Sequence, residues 1–368
     1  MFKLLGGIGV FMLFVTVAES HGQARVGVES PQVHEDGSVT FALLAPEAET
    51  VAVHGHWSAE AQPMTRGESG VWELRVEQIP AEIWEYSFVV DGVAMADPSN
   101  RLVKASRSPK RSLLHIPADP PSLQDPRAVP HGVAHVHTYE SEAAGDSRQY
   151  VVYTPAGYGE DAERLYPLLV LQHGSGDTEM SWLVNGSAGN ILDNLLAEGR
   201  IEPMVVLMLN GHVTKDRDAN TAAFEADLLE QVLPAAESAY RVRPGSENRA
   251  LVGLSMGGHQ ALSVGLNHTD RFAWIGSLSG GLRDLGSVSS AIQQAEQTNE
   301  RLKLLYIACG VADGAMERNR ELSRSLTEAG IENQLHETEG GHSWPVWRKH
   351  LADLLPRLFV EADGSATP

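Results

Sequence analysis

Two patterns and one motif predict an α/β fold, preceded by an immunoglobulin-like β-sandwich, for this 368-residue chain. From residue 133 to 368, apolar strand-like runs alternate with helix-compatible segments. That pattern builds a mostly parallel sheet covered on both faces. Residues 25–117 instead carry short β-prone runs separated by turn signals, the spacing of two packed antiparallel sheets. The motif lies in the second region. An apolar run, 250–252, enters Gly253-Leu254-Ser255-Met256-Gly257, and a helix-compatible stretch, 260–266, leaves it. Strand, sharp turn and helix in that order present a nucleophilic serine above a sheet.

Composition bounds the function. With 42% hydrophobic and 21% charged residues the chain can build a substantial core. Its 28 basic residues against 48 acidic give a formal charge of −20. Such a surface repels phosphate backbones and anionic lipid, so neither nucleic acid nor a membrane is an expected partner. Lys3, the apolar stretch 4–18 and small residues at Ala18 or Ala24 read as a cleaved leader over residues 1–24. A secreted or periplasmic location follows. The single cysteine, Cys309, closes the apolar run 304–308 and reads as a buried strand thiol, not a nucleophile.

In the first region, 39–43, 50–54, 70–76 and 84–90 are the β-prone runs, the last ending at an Asp91-Gly92 turn. Trp72 and Trp84 sit on alternating strands and are expected in the core. Trp57, beside a turn, is open between core packing and stacking on a sugar ring. The order V-A-V-H-G-H-W (51–57), G-V-W-E-L (70–74), Y-S-F-V-V-D-G (86–92) and A-D-P-S-N (96–100) resembles the E-set domain of the CBM48 carbohydrate-binding family. The resemblance implies a module that binds glucans or, joined to esterases, xylan. This copy has Gly55-His56-Trp57-Ser58 where that family shows G-D-F-N. Roofing the catalytic pocket is an equally open role. Residues 118–132, dense in proline, are expected to form a semi-rigid linker.

The second region predicts strands at 149–153, 166–172, 204–209, 274–279 and 302–308, and helices at 190–198 and 224–240. With the Gly253–Gly257 turn this is the α/β-hydrolase architecture. Residues 253 and 257 must be small, because side chains there would strike the neighbouring strand and helix. Met256 then offers a backbone N–H at a helix start, where an oxyanion can be held. The Ser175 N–H, in His173-Gly174-Ser175-Gly176 after a buried strand, is the second expected oxyanion donor. A nucleophilic serine needs a base, and the base an orienting acid, in the chain order serine, acid, histidine. Asp313 follows the apolar run 304–308 and is the expected acid. Asp284 lacks such a strand before it, and Glu317 falls on a helix. His342, on a glycine-rich loop before the last helix, is the expected base, whereas His336 falls in a strand and His350 in that helix. Trp182, Trp344 and Trp347 are candidates for a substrate platform, with core packing equally open. No metal or cofactor is called for.

His173-Gly174-Ser175-Gly176-Asp177, Asn190 to Leu195, Asn210-Gly211-His212, Phe224 to Leu229, Asn248 to Gly258, Cys309-Gly310-x-x-Asp313 and Gly341 to Trp347 together resemble the esterase D-like α/β-hydrolases of carbohydrate esterase family 1. The resemblance covers about residues 135–360. It implies Ser255 as nucleophile, Asp313 as acid, His342 as base, and oxyanion donors at Met256 and at the residue after His173-Gly174. It further implies a secreted serine esterase releasing feruloyl or acetyl groups from plant xylan, an ester-bearing polysaccharide being its partner. Two alternatives stay open: an enterochelin-type siderophore ester hydrolase, whose anionic catecholate substrate sits poorly with the net negative charge, and an acyltransferase of the same fold.

Overall fold

Period-two alternation builds the first domain in the computed structural model, which describes residues 27–360. The expected leader, residues 1–24, lies outside the described residues. Nine strands form two antiparallel sheets: β1 (Gln32–Val33), β2 (Val39–Leu44), β3 (Val51–Gly55), β4 (Gln62–Pro63), β5 (Thr65–Arg66), β6 (Val71–Val76), β7 (Glu82–Val90), β8 (Val93–Met95) and β9 (Ser112–Ile116). One sheet has the order β1-β2-β6-β5; the other is β4-β3-β7-β8, with β9 also paired to β7. Inward residues Val39, Phe41, Val53, Trp72, Tyr86 and Phe88 fill the space between them. Trp57 resolves to packing. Its ring stacks on Phe41 at 5.6 Å and lies so close over Gly55 that a Cβ there would collide with it. Trp84 is half-buried on the same core, its indole N–H donating to the Pro80 carbonyl.

The second domain is one sheet of eight strands, β10 (Val133–Ser141), β11 (Asp146–Thr154), β12 (Leu168–Gln172), β13 (Val205–Leu209), β14 (Arg249–Leu254), β15 (Trp274–Leu278), β16 (Leu304–Gly310) and β17 (Gln334–Thr338). Their order is β10-β11-β13-β12-β14-β15-β16-β17. The first two strands run antiparallel to their neighbours, and β13 through β17 are parallel. The central strands β12 to β16 are buried throughout except at Arg249, the first residue of β14, as helices on both faces require. Those helices are α1 (Ser181–Val184), α2 (Ala188–Ala197), α3 (Asn220–Ala226), α4 (Leu233–Ala239), α5 (Met256–Asn267), α6 (Ser289–Gln293), α7 (Ala295–Arg301), α8 (Met316–Glu328) and α9 (Trp344–Leu354). The helix expected at 224–240 is α3 and α4 joined by a π-helical stretch, Asp227–Val232.

The proline-rich connector is not a free linker. Asn194 of α2 donates to the carbonyls of Leu123 and Asp125 at 2.8 and 2.9 Å, and Ser187 and Asn190 both donate to the Gln124 carbonyl. Asp125, buried, accepts from His115 and from Ser122. Amide side chains on α2 thus satisfy a strap whose own sequence reads only as extended. A second tie crosses the domains at Arg348 of α9. Its guanidinium, 2% exposed, donates to the Asn185 carbonyl, to the Ile83 carbonyl at 2.7 Å, and to Glu82 at 3.1 Å.

Candidate active site

Strand β14 ends at Leu254 and helix α5 starts at Met256, which leaves Ser255 alone in the turn with φ 52° and ψ −113°. A non-glycine residue held there is strained, and the surroundings over-determine it. A Cβ at Gly253 would lie 2.2 Å from the Gly257 carbonyl oxygen, and one at Gly257 would lie 2.4 Å from that of His173. Only glycine lets strand, turn and helix approach this closely. The Ser255 N–H donates to the Leu278 carbonyl at 2.8 Å, so β15 holds the turn from the other side.

Three residues distant in sequence meet at this turn. The Ser255 hydroxyl lies 3.0 Å from His342 Nε2, where it can donate, and the His342 Nδ1–H reaches Asp313 Oδ2 at 2.8 Å. His342 comes from the loop between β17 and α9, and Asp313 from the loop after β16. Burial pushes the Asp313 carboxyl up. Hydrogen bonds from His342, the Ala315 N–H and the Ser279 hydroxyl outweigh it and hold the group below its usual range. An ionised Asp313 fixes the imidazole tautomer that leaves Nε2 free to accept a proton. Asp284 serves elsewhere, capping a short helical turn through the Gly286 N–H. His336 stacks on Tyr306, and His350 is buried against Thr338.

Met256 opens α5, so its N–H has no acceptor within the helix. Ser175 and Met256 both line a cavity of about 1200 Å³, together with Ser255 and His342. A Cβ at Gly174 would lie 2.5 Å from Leu254 and 3.3 Å from the Ser255 Cβ, which is what brings this loop alongside the serine. Gly176 has open surroundings, and its φ of +84° is the left-handed region that favours glycine. Two histidines clamp the loop. His173 donates from Nδ1 to the Gly174 carbonyl and accepts the Gly211 N–H on Nε2, and His212 Nε2 accepts the Gly176 N–H at 3.2 Å. Burial pushes their pKa values down to about 3 and about 4, keeping both neutral and able to accept.

The family described as "Putative esterase" matches residues 141–358. The chain belongs to this family. Carbohydrate-binding module 48, described as the isoamylase N-terminal domain, matches residues 25–105. The chain is 29% identical over 345 residues to an endo-1,4-beta-xylanase/feruloyl esterase of Xylanibacter ruminicola, a match covering 90% of this chain and 46% of that protein. It therefore spans under half of that relative. It is 25% identical over 222 residues to an acetyl esterase of Caldicellulosiruptor saccharolyticus, covering 50% of this chain and 84% of the relative. Among solved structures, the enterobactin esterase of Shigella flexneri superposes with a TM-score of 0.66 at 22% identity, covering 87% of this chain and 92% of that one. At that identity the likeness is one of fold.

Beside this esterase-family site the three tryptophans left open between platform and core take the core position. Trp182, Trp344 and Trp347 are 1%, 2% and 6% exposed, belong to the core under the sheet, and none lines the cavity. They pack edge to face on one another. Burying large aromatics is worth more to the core than a wet platform returns, and Trp182 and Trp347 have internal partners for their N–H groups. Trp347 also touches the site from behind, its ring edge-on to His342 at 4.9 Å. Sequence reasoning missed Arg107, which reaches the cavity from the first domain. A signal existed: Arg101, Lys104, Arg107, Lys110 and Arg111 form a basic run in an acidic chain.

Proposed function

We propose that this chain is a serine carboxylic-ester hydrolase acting on ester-substituted xylan, with hydroxycinnamoyl groups such as feruloyl, or acetyl groups, as the acyl portion. The observation that carries the reading is the hydrogen-bonded path from Ser255 through His342 to Asp313. Ser255 Oγ attacks the ester carbonyl as its proton passes to His342 Nε2, and the Met256 and Ser175 N–H groups receive the oxyanion. Collapse of the tetrahedral species expels the alcohol, which takes the proton from His342. Water, deprotonated by the same nitrogen, then frees Ser255 from the acyl group. A cavity of about 1200 Å³ has room for a hydroxycinnamoyl group still joined to its sugar. The Xylanibacter relative, parallel to nine-tenths of the chain, bears both xylanase and feruloyl esterase in its name. The leader expected from the sequence at residues 1–24 would suit an enzyme that meets xylan outside the cytoplasm.

Purified protein would be given feruloylated arabinoxylan, acetylated xylan and enterobactin side by side, with products identified by mass. Ferulate or acetate release is expected, falling by at least about 10⁴-fold in Ser255→Ala and in His342→Ala. Turnover of enterobactin alone would replace the xylan reading with a siderophore one, and unimpaired variants would remove the serine mechanism. Retention of the first domain's module on insoluble xylan is tested with the full chain, against albumin as the unbound reference.

A further inference from the structure

The cavity wall has the opposite charge to the chain. On a molecule of net charge −20, Arg107, Lys215, Arg217, Arg283 and Arg318 line the cavity that holds Ser255 and His342. Its three carboxylates are already engaged. Asp218 meets Arg283 at 3.3 Å, Glu225 meets His268 at 2.7 Å, and Asp284 accepts from the Gly286 N–H at 2.9 Å. Among the described residues, Arg107, Lys215, Arg217 and Arg318 form no ion pair. Cations left unpaired around a concave site repel one another and focus a positive potential where a substrate enters. Among the described residues no Phe, Tyr or Trp lines the cavity, so none of them supplies stacking as an alternative recognition.

Two of these cations are placed by the fold. Arg107 belongs to the loop between β8 and β9 of the first domain, yet its backbone N–H donates to the Gly176 carbonyl at 2.8 Å, on the same loop as Ser175. Its neighbour Ala105 is pinned on both sides, donating to the Asn185 side chain and accepting from Ser181 and Asn185. Arg318, on α8, lies over Gly281, where a Cβ would come within 3.2 Å of its Cδ. The field is felt nearby: after burial, Arg107 and Arg148 help to depress His212, and Arg283 and Arg318 help to depress His259.

We propose that this wall is an anion subsite for a carboxylate on the alcohol side of the ester, a uronate of the polysaccharide, with Arg107 contributed by the first domain. The assignment rests on the ester-hydrolase reading and narrows its substrate class. A neutral feruloyl or acetyl ester leaves the wall unpaired; a uronate-bearing one pairs it through charge-assisted hydrogen bonds.

The test uses the full chain and two matched ester pairs. Feruloyl glucuronate and feruloyl glucose differ in charge on the alcohol side; mono-4-nitrophenyl succinate and 4-nitrophenyl acetate differ on the acyl side. At low salt kcat/KM is expected to favour feruloyl glucuronate over feruloyl glucose by about tenfold or more, the size of one charge-assisted hydrogen bond. That ratio should collapse in Arg107→Gln and in Arg318→Gln, survive in Arg107→Lys, and shrink in about 0.5 M NaCl as screening shortens the field. A ratio near one, or one untouched by both glutamine variants, overturns the subsite. Preference confined to the succinate pair overturns its place on the alcohol side. If all four esters are inert, it is the underlying hydrolase reading that fails.

Discussion

Trp347 donates its indole N–H to Ser279 Oγ at 3.1 Å, and Ser279 is among the groups that hold the Asp313 carboxyl low. Because the same ring rests edge-on against His342, one buried side chain steadies both the acid and the base. Trp347→Phe keeps a ring but drops the donor. Losing one neutral hydrogen bond is worth about 1 kcal/mol, so kcat should fall about fivefold with KM little changed. Steady-state kinetics on ethyl ferulate beside a thermal melt measure this, and an unaltered kcat would reduce Trp347 to packing. The residues at Ser255, Asp313 and His342 were legible in the sequence because each sits where the backbone leaves a local mark. Glycines flank the turn, an acid ends an apolar strand, and a glycine-rich loop precedes a helix. The duties of Trp347, Arg107 and His212 were not, since they are defined by what lies across space.

Helix α9 does two jobs at the scale of elements. Its N-terminal end follows His342, and its Arg348 reaches β7 of the first domain. Arg348→Ala would remove the cation paired with the Glu82 carboxylate, 7% exposed, which keeps only the neutral donors Ile83 N–H and Gln124, and would take this donor from two carbonyls. Breaking one side of a buried pair costs about 3–5 kcal/mol, which should appear as a lower urea midpoint. A shift below about 1 kcal/mol, the worth of a surface pair, would show that Glu82 and the carbonyls find water instead. The strands of the parallel sheet announce themselves as continuous apolar runs. By contrast, β10 escapes notice because it is an edge strand, largely exposed and carrying His135, His137 and Thr138. The π stretch between α3 and α4 escapes too, its signal being the buried Asp227, which accepts from Tyr139 and Ser141 on β10.

For the whole molecule, the strap on α2 and the Arg348 tie make the two domains depend on each other. Calorimetry should give a single unfolding transition with calorimetric and van't Hoff enthalpies in agreement, and two separated peaks would show that the ties are weak. Acid should loosen that single unit in a defined window. His173 is driven down to about 3, and His350 to about 4, in each case first by burial, from an ordinary 6.5. Below 6.5 the unfolded chain takes up protons that these two folded imidazoles refuse, so the unfolded state is favoured as pH falls. The stability they permit is whole above about 6.5 and is lost downward toward about 4, at about 1.4 kcal/mol per pH unit for each buried histidine. Carboxylates held low by their partners, Asp313 among them, add their loss only further down. Melting temperatures recorded from pH 7.5 to 4.5 should be flat and then decline, with the break near 6.5. A melt that stays level to the acid end would mean that His173 and His350 are protonated in the folded protein, and a protonated His173 could no longer accept the Gly211 N–H that anchors the Ser175 loop.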